Sequence, residues 1–201
     1  MRLTQEDYRR IAEAIRAAEQ QTAAEIVCVL ARRSSDYAYT PPLWGAFAAL
    51  ASPWPLMALT HLHERTIFLA QIAVFIVATL LFSWAPLRFA LTPRPVKRAR
   101  AHRAALEQFF TRGVAATSER NGVLIFVSLA ERYARIVADE GVAAKIAQEE
   151  WRGALDLLRD YMRDGEIADG YVVAIDECAR LLSRHVPPGG RDELPNKIYL
   201  M

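Results

Sequence analysis

The chain has 201 residues with a formal net charge of +2, and 53% of them are hydrophobic while 24% are charged. This length allows one domain of ordinary size, or a smaller domain joined to a membrane element. High apolar content in a chain that is also well charged favours the second arrangement. So small a net charge argues against a nucleic-acid partner, because phosphate binding needs a dense basic face.

The first segment predicts a helix followed by a strand. Thr4 and Asp7 form a capping-box pattern, and apolar residues then recur at helical spacing over about residues 5–20. The run Glu25 to Ala31 is short and β-branched, as expected for a buried strand. Residues 1–18 carry many charges and no apolar core, so we expect no secretory signal there.

Two apolar stretches follow. Residues 37–63 and 66–87 contain no Asp, Glu, Lys or Arg, and each approaches the roughly 20 residues that span a bilayer. They predict a transmembrane hairpin over 42–90, with helices at about 43–62 and 67–90. Pro53 and Pro55 predict a kink near Ser52–Pro55. Two buried helices of a soluble core are the alternative.

Positive charges flank the hairpin and are scarce in its turn. Arg32 and Arg33 precede it, while the turn carries only Arg65. The positive-inside rule therefore predicts an integral protein of a bacterial-type inner membrane, with both termini and the polar domain cytoplasmic. Basic residues that follow the hairpin are candidates for contact with anionic lipid; they are Arg94, Lys97, Arg98 and Arg100. Alternatively, they only set the topology.

The rest of the chain predicts alternating helices and strands. Helices are expected at 96–116, 142–163 and 169–184, and an antiparallel pair of strands at 123–129 and 132–139, before a loose tail from Pro187. The fold class predicted is an α/β (α+β) sandwich, with a central mixed sheet of about three to four strands flanked by helices. Its single discontinuous domain comprises residues 1–40 and 92–201, because three strands cannot bury their faces separately.

Five short motifs in a fixed order resemble those of the TPM domain family, named for a thylakoid lumen protein, a photosystem II repair protein and a worm receptor modulator. The motifs are TAAEIV from Thr22, TSERNGVLIFVSL from Thr117, RYARIVADEG from Arg132, Trp151, and ELPN from Glu193. The resemblance runs from about Thr4 to Asn196 without the hairpin. It implies an α/β sandwich, acid phosphatase activity and calcium binding as in the plant member, or assembly and repair of membrane complexes as elsewhere. Many relatives instead carry a signal peptide and a membrane helix after the domain.

Candidate chemistry is concentrated where strands end. Asp139 and Glu140 follow a strand and precede a helix, and Glu25 opens another strand. Their carboxylates are candidate ligands for Ca²⁺ or Mg²⁺, and Asp139 and Glu140 are candidate catalytic residues. Carboxylates at a helix start are alternatively only caps. Arg120 is a candidate anion contact, or else forms a salt bridge on its turn.

Two functions are therefore predicted. The leading one is a membrane-tethered cytoplasmic module that docks onto another membrane protein or complex, with the lipid bilayer as its second partner. The other is a tethered metal-dependent phosphatase that hydrolyses phosphomonoesters.

Overall fold

The computed structural model describes residues 3–189 and 192–201. The chain divides into two compact units. The polar unit consists of Met1–Ser34 and Arg98–Met201, and the apolar unit consists of Ser35–Lys97. The sequence placed the corresponding boundaries near residues 40 and 92.

The polar unit is built around one mixed sheet. Four strands lie in the order β3-β2-β1-β4, with β1 parallel to both β2 and β4 and β2 antiparallel to β3. The strands are β1 (Glu25–Ala31), β2 (Gly122–Ser128), β3 (Tyr133–Ala138) and β4 (Ile198–Leu200). The α-helices that lie wholly in this unit are α1 (Gln5–Glu19), α7 (Glu140–Ala143), α8 (Arg152–Asp164) and α9 (Ile167–His185). Helix α6 (Arg94–Thr111) begins in the apolar unit and belongs to the polar unit from Arg98 onward. The predicted fold class is confirmed.

Both central strands are buried on both faces, in keeping with their apolar runs at 26–31 and 123–127. One face packs against α1, α8 and α9, with Ile15, Leu158 and Ile175 fully buried. The other face packs against α6 through Ala105 and Phe109. The two central strands are thus covered on both faces, whereas the outer strand β3 is only partly buried.

The long helix predicted over 142–163 is wrong. The chain forms the short helix α7, then turns, and only begins α8 at Arg152. Ile146 and Trp151 are both nearly fully buried, at 2% and 1% exposed, so the turn brings two bulky side chains into one core. Gln148, in the same turn, donates its side-chain N–H to the backbone carbonyl of Ile136 in β3 (3.3 Å). Neither contact has a local sequence signal.

Two other boundaries differ from prediction. The helix expected to reach residue 116 ends at Thr111, because Gly113 adopts a left-handed backbone with φ of +74° before a short 3₁₀ turn. The tail expected to be loose contains β4, which pairs in register with Cys28–Leu30 of β1. Residues 190–191 of that tail lie outside the described residues.

The apolar unit is helical throughout its core. It contains α2 (Thr40–Ala51), α3 (Pro53–Leu59), α4 (Glu64–Phe82) and α5 (Ala85–Leu91). The break between α2 and α3 falls at Ser52, where the kink was predicted. In the part of the chain described, only α4 is by itself long and apolar enough to cross a bilayer, and none of it is buried. The transmembrane hairpin therefore stays a prediction.

Helices α2 and α4 meet closely at Gly45. A Cβ atom at this position would overlap the hydroxyl of Thr79, so a larger residue would require that side chain to move. Close approach at small residues is typical of helices that pack in lipid, where apolar burial gives little attraction between them. Thr40 and Thr92 add a buried hydroxyl–hydroxyl hydrogen bond (3.0 Å).

Candidate functional site

The three predicted carboxylates, Glu25, Asp139 and Glu140, lie at the same end of the strands of the sheet. Glu25 opens β1 and pairs in register with Gly122, which opens β2. The backbone N–H of Asp139, just beyond β3, donates to the carbonyl of Gly122 (2.8 Å). Glu25 and Asp139 therefore flank Gly122 on opposite sides, about 10 Å apart at two strand spacings.

Asp139 and Glu140 share Arg120. The Nε atom of Arg120 lies 3.2 Å from Asp139 Oδ2, and one of its terminal nitrogens lies 3.2 Å from Glu140 Oε2. Asp139 also accepts the backbone N–H of Glu140 (2.8 Å), so it caps α7. Its side chain is 3% exposed, whereas that of Glu140 is 84% exposed. The buried carboxylate thus faces a guanidinium, and Arg120 forms the salt bridge that was the alternative to anion contact.

Backbone contacts join the same two segments. Arg120 adopts a left-handed conformation with φ of +54°, and its carbonyl accepts the N–H of Gly141 (2.9 Å). A Cβ atom on Gly141 would lie 2.7 Å from that oxygen and 2.8 Å from the carbonyl oxygen of Glu119. Gly122 is similarly restricted by the carbonyl of Val114. These glycines of the RNG and ADEG motifs are required for packing.

Glu25 holds the C-terminal segment. Its two carboxylate oxygens accept the backbone N–H groups of Glu193 (3.2 Å) and Leu194 (3.1 Å). The Glu193 carboxylate in turn accepts the backbone N–H of Ser118 (3.1 Å) and its hydroxyl. Burial raises the pKa of Glu25, while its backbone hydrogen bonds oppose that shift. The residue therefore connects β1 to the ELPN motif.

An acidic pocket of about 320 Å³ adjoins Glu25 and contains a residue that the sequence analysis missed. Glu19, at the end of α1, lines it with Asp192 and Asn196. Burial, followed by repulsion from Glu25 and Asp192, raises the pKa of Glu19 to about 8, although the N–H of Ile26 donates to it (3.1 Å). Glu19 is thus mostly protonated at neutral pH. Asp192 and Asn196 lie more than 170 positions from Glu19 in the chain, so no local pattern indicates the pocket that they complete.

The carboxylates of Asp139, Glu140 and Glu25 do not fit a calcium or magnesium ion as they are arranged. A hard cation needs several oxygens that converge at about 2.0–2.6 Å. Two of these carboxylates contact Arg120, and the third is occupied by backbone N–H groups. Over residues 3–189 and 192–201, no group of three His, Cys, Asp or Glu side chains is arranged to hold a metal.

The predicted lipid-contact residues lie around the start of α6. Arg94 and Arg98 are exposed, whereas Lys97 and Arg100 are partly buried. The Lys97 ammonium lies 3.9 Å from the centroid of the Phe89 ring, a cation–π contact within the apolar unit. Their role in lipid contact stays a prediction.

A family model described as the TPM domain matches residues 58–181, more than half of the chain. The chain belongs to the TPM domain family. The match begins inside the predicted hairpin and omits α1 and β1, so its extent differs from the resemblance read from the sequence. Arg120, Asp139 and Glu140 lie inside it, whereas Glu19 and Glu25 do not.

A solved structure supports the same fold. The NMR structure of the BA42 protein from the psychrophilic bacterium Bizionia argentinensis aligns with 100% of this TPM chain and 97% of its own chain. The TM-score is 0.62 and the sequence identity is 19%, so the likeness concerns the fold alone. No curated protein matches the chain.

Proposed function

We propose that this TPM protein is anchored in a lipid bilayer by its apolar unit and uses its polar unit to dock onto a membrane protein or complex. The observation that carries the anchor is the surface of α4. Over residues 67–82 its side chains are apolar except for Gln71 and Thr79. Phe68, Leu69 and Leu80 are each at least 65% exposed. Each large apolar side chain left in water forgoes about 1.5–3 kcal/mol, so lipid is the solvent that suits this helix.

The first predicted span is formed by α2 and α3 together. They cover residues 40–59 with one break at Ser52, and a helix interrupted by proline is tolerated in a membrane when neighbouring groups satisfy the freed carbonyls. Ser52 donates its hydroxyl to the carbonyl of Ala49 (2.8 Å). Trp44 and Trp84 are 38% and 68% exposed near the ends of the hairpin, where indoles favour the headgroup layer.

The sidedness follows from the flanking charge. Basic residues flank both ends of the apolar unit, while its central turn around Leu62 has one arginine nearby, Arg65. We therefore assign both termini and the polar unit to the cytoplasmic side of an inner membrane.

The chain's own cysteines allow a clean test of this topology. Cys28 and Cys178 are fully buried, so a membrane-impermeant maleimide should label only introduced thiols. We expect Leu62→Cys to be labelled in intact cells and Ser183→Cys only after permeabilisation. The reverse pattern, or equal labelling of both variants, would contradict the assignment.

The docking role is supported by how the candidate catalytic groups are used. Asp139, Glu140, Arg120 and Glu25 each form internal contacts that hold the sheet edge together. Surface recognition needs no such reacting group, so a docking module is compatible with carboxylates that serve the fold.

Sedimentation of the full chain, extracted with a mild detergent from the membranes in which it is made, tests docking. We expect a particle heavier than one chain with its micelle. It should persist when the apolar residues of α4 are all replaced by leucine, because the polar unit makes the contact. A lone monomer under every gentle condition would refute the docking role, and a chain that stays soluble without detergent would refute the anchor.

A further inference from the structure

A cavity lined by three arginines lies at the opposite end of the strands from the candidate site. It is formed at the end of β2 and the start of β3 and has a volume of about 480 Å³, within the range of small-molecule sites. Leu129 and Met162 contribute apolar residues to its lining, and Arg132, Arg159 and Arg163 contribute three basic residues. We call this the arginine cavity.

Its arginines are only partly neutralised. Arg159 and Arg163 lie 2.8 Å and 3.0 Å from the carboxylates of Asp156 and Asp160, in exposed pairs one turn apart on α8. Such pairs are weak in water. Arg132 is exposed and forms no ion pair with any residue that the structure describes. The cavity therefore carries a net positive charge beside an apolar wall.

The turn that carries Arg132 is held firmly. Arg132 adopts a left-handed conformation with φ of +49°, and its N–H donates to the carbonyl of Leu129 (3.2 Å). The neighbouring Glu131 carboxylate accepts the backbone N–H of Ser34 (3.1 Å), and the hydroxyls of Ser34 and Ser128 are 2.8 Å apart. The guanidinium thus projects from a fixed backbone rather than a loose loop.

The same edge is next to the anchor in the sequence. Ala31, the last residue of β1, pairs in register with Ser128, the last residue of β2. Only residues 32–34 then precede the apolar unit, and the carbonyl of Arg32 accepts the N–H of Ala130 (3.1 Å). So short a connection, about 10 Å when extended, joins this end of the sheet to the apolar unit along the chain.

We propose that the arginine cavity binds the phosphate-bearing headgroup of an anionic membrane phospholipid. Arg132 is the principal phosphate contact, because a guanidinium donates two parallel hydrogen bonds to phosphate oxygens. The apolar wall at Leu129 and Met162 contacts the glycerol and first acyl carbons. This inference rests on the proposed membrane anchoring.

Lipid titration of the full chain in mild detergent, read by native mass spectrometry, tests the proposal. The probes are phosphatidylglycerol, phosphatidylcholine and inorganic phosphate. We expect phosphatidylglycerol to bind most tightly, and Arg132→Gln to weaken it about five- to tenfold. Arg159→Gln is a second test variant on a helix. Arg9→Gln is its matched control, since Arg9 is also exposed and pairs with a carboxylate one turn away.

The outcomes are separable. Unchanged phosphatidylglycerol affinity in folded Arg132→Gln and Arg159→Gln, or an equal loss in Arg9→Gln, would overturn the cavity site. Inorganic phosphate that binds as tightly as the lipid would overturn the lipid assignment. Alkaline extraction of membranes tests the anchor independently of lipid binding. A chain that is released as soluble protein but still binds phosphatidylglycerol through Arg132 would refute the anchor and retain the site.

Discussion

Replacing Ile72 by arginine should weaken membrane insertion strongly. Ile72 is 57% exposed and lies eight positions after Glu64 and ten before Phe82, so it is near the middle of α4. The helix is about 28 Å long, close to the roughly 30 Å apolar thickness of a bilayer. An arginine there is about 12 Å from the nearer end and cannot easily extend to the headgroups.

The magnitude follows from the composition of the helix. Its eleven Ile, Leu, Phe and Val residues each favour insertion by about 0.3–0.6 kcal/mol, a sum of roughly 3–7 kcal/mol. Replacing isoleucine by a central arginine removes about 3–4 kcal/mol of it. The substitution therefore cancels half or more of the insertion free energy of α4.

Alkaline carbonate extraction of membranes measures the effect. We expect wild type and Ile72→Leu to remain in the pellet, and much of Ile72→Arg to be released. Leu62→Arg places the same charge in the turn before α4 and should remain in the pellet. If Ile72→Arg pelleted as fully as Leu62→Arg, lipid would not be the solvent of α4, and the anchor would be refuted.

Three other predictions concern the sheet edge. The raised pKa of Glu19, about 8 against an ordinary 4.5, means that thermal stability in detergent should fall as pH rises from about 4.5 through 8. Glu19→Gln should flatten that profile, and an unchanged slope would contradict its burial as the cause. Gly141→Ala should destabilise the fold by about 1–3 kcal/mol through its clash with backbone oxygens, whereas Gly153→Ala, with open space around it, should be neutral or stabilising. Asp139→Asn should lower the melting temperature because it weakens the pairing with Arg120. Any phosphomonoester hydrolysis by the wild type, tested with and without Ca²⁺ or Mg²⁺, should be unaffected, and loss of divalent-dependent hydrolysis would make Asp139 part of a mechanism.

The elements that the sequence predicted well are those with a strong local pattern. Strands β1 and β2 contain the apolar runs 26–31 and 123–127. Strand β3 follows β2 after a short turn, so proximity in the chain favours their pairing. Helix α1 begins at the predicted capping box, with Thr4 and Asp7 exchanging hydrogen bonds (2.8–3.2 Å). Each signal lies within a few residues of the structure it specifies.

The elements that were missed depend on distant contacts. The three-residue strand β4 exists because β1 offers a free edge, about 170 positions earlier in the chain. The turn between α7 and α8 contains good helix-forming residues, so burial of Ile146 and Trp151 overrides local preference. The arginine cavity likewise combines a turn after β2 with the end of α8. No window of sequence contains both halves of such a feature.

The contacts of the family motifs also indicate where chemistry should be sought. Arg120, Gly122, Asp139 and Gly141 carried much of the resemblance, yet their contacts hold the starts of β2 and α7 together. A side chain that makes such structural contacts would have to break them before it could bind a substrate. Groups with a perturbed pKa or an unneutralised charge bordering a cavity are better placed to bind ligands. By that criterion, Glu19 and the arginine cavity are the positions at which variants should separate loss of function from loss of fold.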